Sequence, residues 1–207
     1  MGRGSSSAGA NWGSGSGLDP ANLKNVGDMI SQRETQRKEV DGVLTVSRSM
    51  NEQYGTDVDF ILADIGGKDK GTMAFYDGIN VGWNREYFDT KKQTTAYDEC
   101  VASGFHPGRG KKSAMEAVAS HEFGHAINDK VATKMGLSMD AAAKKIVNEA
   151  KKEAGHSRGA DMAAKISGYA KHSQAECIAE AFADVYCNGN KARKESIAVV
   201  NTTKKYL

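Results

Sequence analysis

His121-Glu122-Phe123-Gly124-His125 is the stretch on which the reading of this chain turns. Upstream of it, Ser113-Ala-Met-Glu116 has the form of a capping box, which starts a helix ahead of the pentapeptide and carries it to about Asn128 or Lys130. Inside a helix, histidines four apart lie one turn above each other and aim their imidazoles at one point, which makes half of a tetrahedral zinc site. Glu122 lies next to the first histidine around the helix, where a carboxylate can reach a water at the metal and take its proton.

A catalytic zinc ion keeps three protein ligands and one open position, so a third ligand must come from elsewhere. The metzincin arrangement is excluded, because it needs glycine and histidine where this chain has Asn128 and Val131. A later helix offers Glu176, Glu180 and Asp184 on one face. Glu176 is the candidate ligand, and Glu180, one turn on, can accept the second ring proton of a ligand histidine. Two plainer roles compete: Ser173-Gln-Ala-Glu176 is itself a capping box, and Glu180 and Asp184 suit a solvated helix face. His156 and His172 are alternative ligands outside the helical pattern, and His106 belongs to a loop and is the weakest candidate of the three.

Beyond the motif the chain reads as helix over residues 139–154, 160–167, 173–187 and 191–201, with breaks at Gly155, at Tyr169 to His172 and at Asn188-Gly189. Before it, Val58, Phe60, Leu62 and Ile65 make a strand, and residues 72–76 and 79–83 make two more joined at Asp77-Gly78, a dipeptide that favours a hairpin. Ile79 to Trp83 is expected at the sheet edge, open to an extended peptide. Residues 94–103 read as a short helix, followed by a loop rich in glycine. Asp19-Pro20 reads as the start of a helix whose apolar stripe, Leu23, Val26, Ile30, Val40, Leu44 and Met50, is interrupted at Gly42. Residues 1–17 hold little but Gly, Ser and Ala and are expected to form a disordered tail, leaving 18–207 as one domain.

The sequence has 207 residues, 39% hydrophobic and 26% charged, which fits one globular domain. Its formal charge of +2 comes with lysines scattered along helices rather than gathered in a stripe, so nucleic acid is not an expected partner. No window approaches the about 18 apolar residues of a membrane span, and no signal peptide is evident. Cys100, Cys177 and Cys187 read as small buried side chains in a reducing compartment.

With His121-Glu122-Phe123-Gly124-His125 and the later Glu176, the chain resembles the gluzincins, zinc peptidases with a helical HExxH and a glutamate ligand on a second helix. Residues 166–182, from Ile166 through Tyr169, Glu176 and Glu180 to Phe182, look like the C-terminal segment of the anthrax lethal factor catalytic domain and of metallopeptidase domains of phage and mobile-element proteins, in which a tyrosine precedes the ligand glutamate by the same interval as Tyr169 precedes Glu176. The resemblance spans about residues 113–187. It implies an α+β zincin-like domain with a small, mostly antiparallel sheet, one zinc ion on His121, His125 and Glu176, Glu122 as general base, and Tyr169 donating to the oxyanion during hydrolysis of a protein or peptide substrate. Ser173 stands where relatives often carry asparagine, which bears on substrate preference rather than on the metal. The rival expectation is a phage or mobile-element structural protein that keeps the zinc-binding fold with little or no peptidase activity.

Overall fold

Sixteen of the 22 residues of one helix, α3 (Ala114–Met135), are buried, and the other elements are arranged around it. The computed structural model describes residues 19–28 and 37–207; the proposed tail and Ile30 lie outside them. In chain order the elements are β1 (Leu23–Asp28), α1 (Lys38–Tyr54), β2 (Asp59–Ile65), β3 (Ala74–Tyr76), β4 (Asn80–Asn84), α2 (Thr90–Ala102), α3, α4 (Met139–Glu153), α5 (Gly159–Ile166), α6 (Gln174–Asn188) and α7 (Lys194–Lys204). The fold is α+β.

The capping box at Ser113 is formed in both directions, as its sequence predicts. The helix outruns its expected end, because Val131 and Ala132 continue the buried face and the chain stops only at Gly136, whose positive φ of 63° makes the left-handed cap. α1, α2, α4, α6, β3 and β4 all pack on α3. α6 also packs on α7 and α4.

The four strands run in the order β1-β2-β4-β3. β2 pairs antiparallel with β1, and β3 pairs antiparallel with β4, but β2 and β4 are parallel, so the sheet is mixed. The Asp77-Gly78 hairpin forms: the Asp77 carboxylate accepts from the amides of Ile79 and Asn80 at 2.8 and 2.6 Å. It docks on β2 through its second strand, which corrects the expected edge. The predicted strand forms over Asn80–Asn84, inside the sheet, with Val81 and Trp83 fully buried and Ile79 left exposed in the turn, and the edges are β1 and β3. Along β2, Phe60 and Leu62 face the helices while Ile61, Ala63 and Ile65 join Phe75 on the opposite face, the alternation a pleated strand imposes. The ring of Phe60 meets that of Phe123, within the motif, at 5.6 Å.

Two further expectations are corrected. Asp19 does cap and Pro20 does open a helical turn, but this 3-10 turn ends at Asn22 and Leu23–Asp28 is strand. The local cap signal is satisfied in one turn, after which the open edge of β2 supplies hydrogen-bond partners that an exposed helix would not improve on. Gly42 does not interrupt α1. It faces Ser113 and Glu116 at the start of α3, and the buried face of Val40, Val43, Val46 and Met50 outweighs a helix cost of about 1 kcal/mol for one glycine.

Gly124 has a different importance. A Cβ there would lie 2.6 Å from the Cα of Ala179 and 3.3 Å from the Cβ of Phe182, so the absence of a side chain sets how closely α3 approaches α6. Ala179 lies between Glu176 and Glu180 in α6, and the contact therefore also sets how far those carboxylates stand from the motif histidines. Gly124→Val should force the helices apart, costing about 1–3 kcal/mol or more from overpacking and weakening metal uptake. Melting temperature and metal content of the purified variant check both effects; a variant unchanged in both would show that the approach is not limiting.

Candidate metal centre

His121 and His125 lie one turn apart on α3, and Glu176 lies in the first turn of α6, where the helix dipole favours its charge. All three are buried, and their ligand atoms lie within 4.8 Å of one another. Nε2 of His121 stands 3.2 Å and Nε2 of His125 3.5 Å from Oε2 of Glu176. None of these three buried atoms makes a well-aligned hydrogen bond. Buried polar atoms are ordinarily paired, and three left over at one point are a donor set for a cation. The group could bind a metal ion.

The competing role of Glu176 as a cap is half realised. Its backbone amide donates to Ser173 Oγ at 3.1 Å, whereas its carboxylate turns inward to the histidines instead of back to the Ser173 amide. Burial acts to raise its pKa, but the His125 and His121 rings outweigh that and hold the carboxyl well below the usual range. For His121 burial opposes the charged ring, and Glu176 and Glu180 more than reverse it, so its pKa is well above the ordinary value.

Glu180 is fully buried. Its Oε1 accepts from Nδ1 of His121 at 2.8 Å, which leaves the Nε2 of that ring toward Glu176 and His125. The same oxygen takes Nδ1 of His106 at 2.9 Å, and Oε2 accepts from Ser167 Oγ at 2.7 Å. Burial raises its pKa and the two histidines lower it further than that, to about 2, so it is an ionised acceptor.

Glu122 is buried with Oε2 outside any hydrogen bond. Desolvation raises its pKa to about 7, against the lowering effect of His121 and His125. The ring of Tyr169 stacks on that of His121 at 5.7 Å. Burial and then the charges of Glu176, Glu122 and Glu180 push its hydroxyl far above the ordinary range, so it stays protonated as a donor.

Set against family models, curated proteins and solved structures, the chain finds no match in any of the three. The geometry therefore carries the functional argument alone. It brings together His121, Glu122, His125, Tyr169, Glu176 and Glu180, and it leaves other candidates elsewhere. Asp184 accepts from Asn188, from the Arg193 amide and from Ser196, tying the end of α6 to α7. His156 bonds Glu195 at 2.9 Å. His172 is exposed, with its ring against Tyr169 at 5.1 Å, and is outside the ligand set. His106, the weakest of the candidate ligands, is outside the ligand set and bonds Glu180 instead, as does Ser167, which no local sequence signal marks; the needs of a buried carboxylate call for both. Among the described residues no helix is long and apolar enough to cross a membrane.

Proposed function

We propose that this chain is a zinc-dependent metalloendopeptidase of gluzincin type. The observation that carries the proposal is Glu122, a buried carboxylate with an oxygen in no hydrogen bond and a pKa of about 7, placed beside the His121-His125-Glu176 set, whose converging Nε2 and Oε2 atoms make no hydrogen bond. Two imidazole nitrogens and one carboxylate suit zinc, and three protein ligands rather than four suit a catalytic ion. Zinc held there supplies Lewis acidity, making a peptide carbonyl more electrophilic and a water more acidic at neutral pH.

The residues of the chain divide the remaining work. Glu122 takes a proton from the attacking water as its oxygen adds to the carbonyl carbon, then passes that proton to the amide nitrogen as the C–N bond breaks. A pKa near the working pH suits a group that must both accept and release. Tyr169, its ring stacked on that of His121 and its hydroxyl hydrogen-bonded to Glu176, turns that hydroxyl to the carbonyl oxygen as negative charge gathers there. Glu180 fixes the His121 ring. A structural protein that merely stored a metal ion would have no use for a desolvated base at this position.

Zinc analysis of the purified chain, together with identification of cleavage sites in a peptide library, tests the proposal. Absence of zinc would overturn it, and stoichiometric zinc without cleavage would favour the structural alternative. Tyr169→Phe should retain zinc and lower kcat by about 10- to 1000-fold with little change in KM, since the donor acts mainly in the transition state. An unchanged kcat at full metal content would reduce Tyr169 to packing.

A further inference from the structure

The loop that follows α2 (Ser103 to Lys112) lies against the metal centre although no ligand belongs to it. Its backbone is fastened to the segment that carries Tyr169: the amides of Gly168 and Tyr169 donate to the carbonyls of Gly104 and Phe105 at 2.8 and 2.9 Å. Its far side is fastened too, by the Tyr97 hydroxyl to the Pro107 carbonyl at 3.0 Å and by Asn188 to the Gly108 carbonyl at 2.6 Å. Between these anchors the His106 side chain is buried, stacked nearly parallel on Tyr97 at 5.4 Å and set edgewise to Tyr169 at 5.4 Å. Its Nδ1 meets the same Glu180 oxygen that receives Nδ1 of His121.

One donor would leave a fully buried carboxylate short of partners and free to turn about its last bond. Two imidazoles on Oε1 and the Ser167 hydroxyl on Oε2 fix its plane. Because Glu180 only accepts, each ring must present a proton at Nδ1, and His121 is thereby committed to offering Nε2 to the ligand set. We propose that His106 is a positioning residue: through Glu180 it holds the orientation of the ligand His121, and the loop it anchors holds Tyr169 against the same ring. This extends the metal-binding proposal above and rests on it for its zinc readout alone.

The rings and the hydrogen bond are separable. His106→Phe keeps an aromatic ring on Tyr97 but removes the donor, whereas His106→Asn gives up the ring and places an amide N–H close to where Nδ1 stood. Zinc affinity by chelator competition should fall about 10- to 100-fold in His106→Phe, the range for losing a partner behind a ligand histidine, and stay within about 3-fold of wild type in His106→Asn. If packing alone mattered, the order of the two variants would be reversed. Melting curves confirm folding, and His106→Ala replaces the phenylalanine variant should that one not fold. Nitrogen-edited NMR of the metal-free proteins gives a readout that does not need zinc: the donor-less variant should lose one exchange-protected imidazole proton and shift the Nδ1 proton of His121. Wild-type zinc affinity in His106→Phe with an unshifted His121 signal would overturn the role of His106 and leave the peptidase proposal standing. A wild-type chain that takes up no zinc would overturn the peptidase proposal, and the His121 signal would then decide His106 by itself.

Discussion

Glu122→Gln is expected to bind zinc as the wild type does and to lose about 10²- to 10⁴-fold in kcat, the usual contribution of a positioned general base. The amide has nearly the shape of the carboxylate it replaces, and Glu122 is not among the three converging donors, so the ligand set is untouched. What the variant lacks is basicity. A second consequence follows for the metal-free protein. Because desolvation holds Glu122 at about 7 in the folded chain against 4.5 as its ordinary value, the unfolded chain ionises first as pH rises. Wild-type stability should therefore decline between about pH 4.5 and about pH 7 on account of this group and level off above, whereas Glu122→Gln should escape that decline and melt higher near neutral pH. Steady-state kinetics and melting curves on the same preparation check both. Hydrolysis near the wild-type rate would remove Glu122 from the chemistry, and a variant that melts lower would mean that the carboxylate has a structural partner.

What could be read from the sequence follows the range of the interactions concerned. The α3 start and the Asp77-Gly78 hairpin are set by residues within a few positions of one another, and they stand where sequence places them. The side on which the hairpin docks is decided by the burial of Trp83 and Val81 against distant helices, and no local signal distinguishes β3 from β4 as the edge. For the same reason Leu23–Asp28 reads as helix and forms strand: its partner, β2, comes after the whole of α1.

The site divides along the same line. A helix of known period makes the relation of His121 to His125 legible, and the spacing of Glu176 and Glu180 puts both on one face of α6. Which of the two carboxylates turns to Nε2 and which to Nδ1 depends on how α3 crosses α6 at Gly124 and Ala179. His106 belongs to a loop, and loop residues have no period from which to infer direction. Its position follows from Gly104, Phe105 and Pro107 being fastened to two different elements.

Glu176→Ala should reduce zinc affinity by more than the about 10- to 100-fold expected for a partner behind a ligand, because it removes one of three donors. The loss has two physical parts. The ion would exchange a negatively charged ligand for whatever water can enter a buried site, and two imidazoles, both neutral when they ligate, would have no nearby charge to balance a dication except Glu122 and Glu180. Glu176→Gln separates these parts, since it returns an oxygen donor without the charge, and its affinity should fall between wild type and Glu176→Ala. His121→Ala is the stricter comparison. It deletes a ligand and also strips Glu180 of one of its two imidazole donors, leaving His106 and Ser167 to satisfy a buried anion, so it should lose melting temperature as well as metal. His125→Ala removes a ligand without touching Glu180 and should cost metal with a smaller loss of stability. Chelator competition with zinc and melting of the metal-free proteins measure the two quantities; Glu176→Ala that keeps zinc at wild-type affinity would show that the third ligand lies elsewhere, with the exposed His172 the histidine to examine.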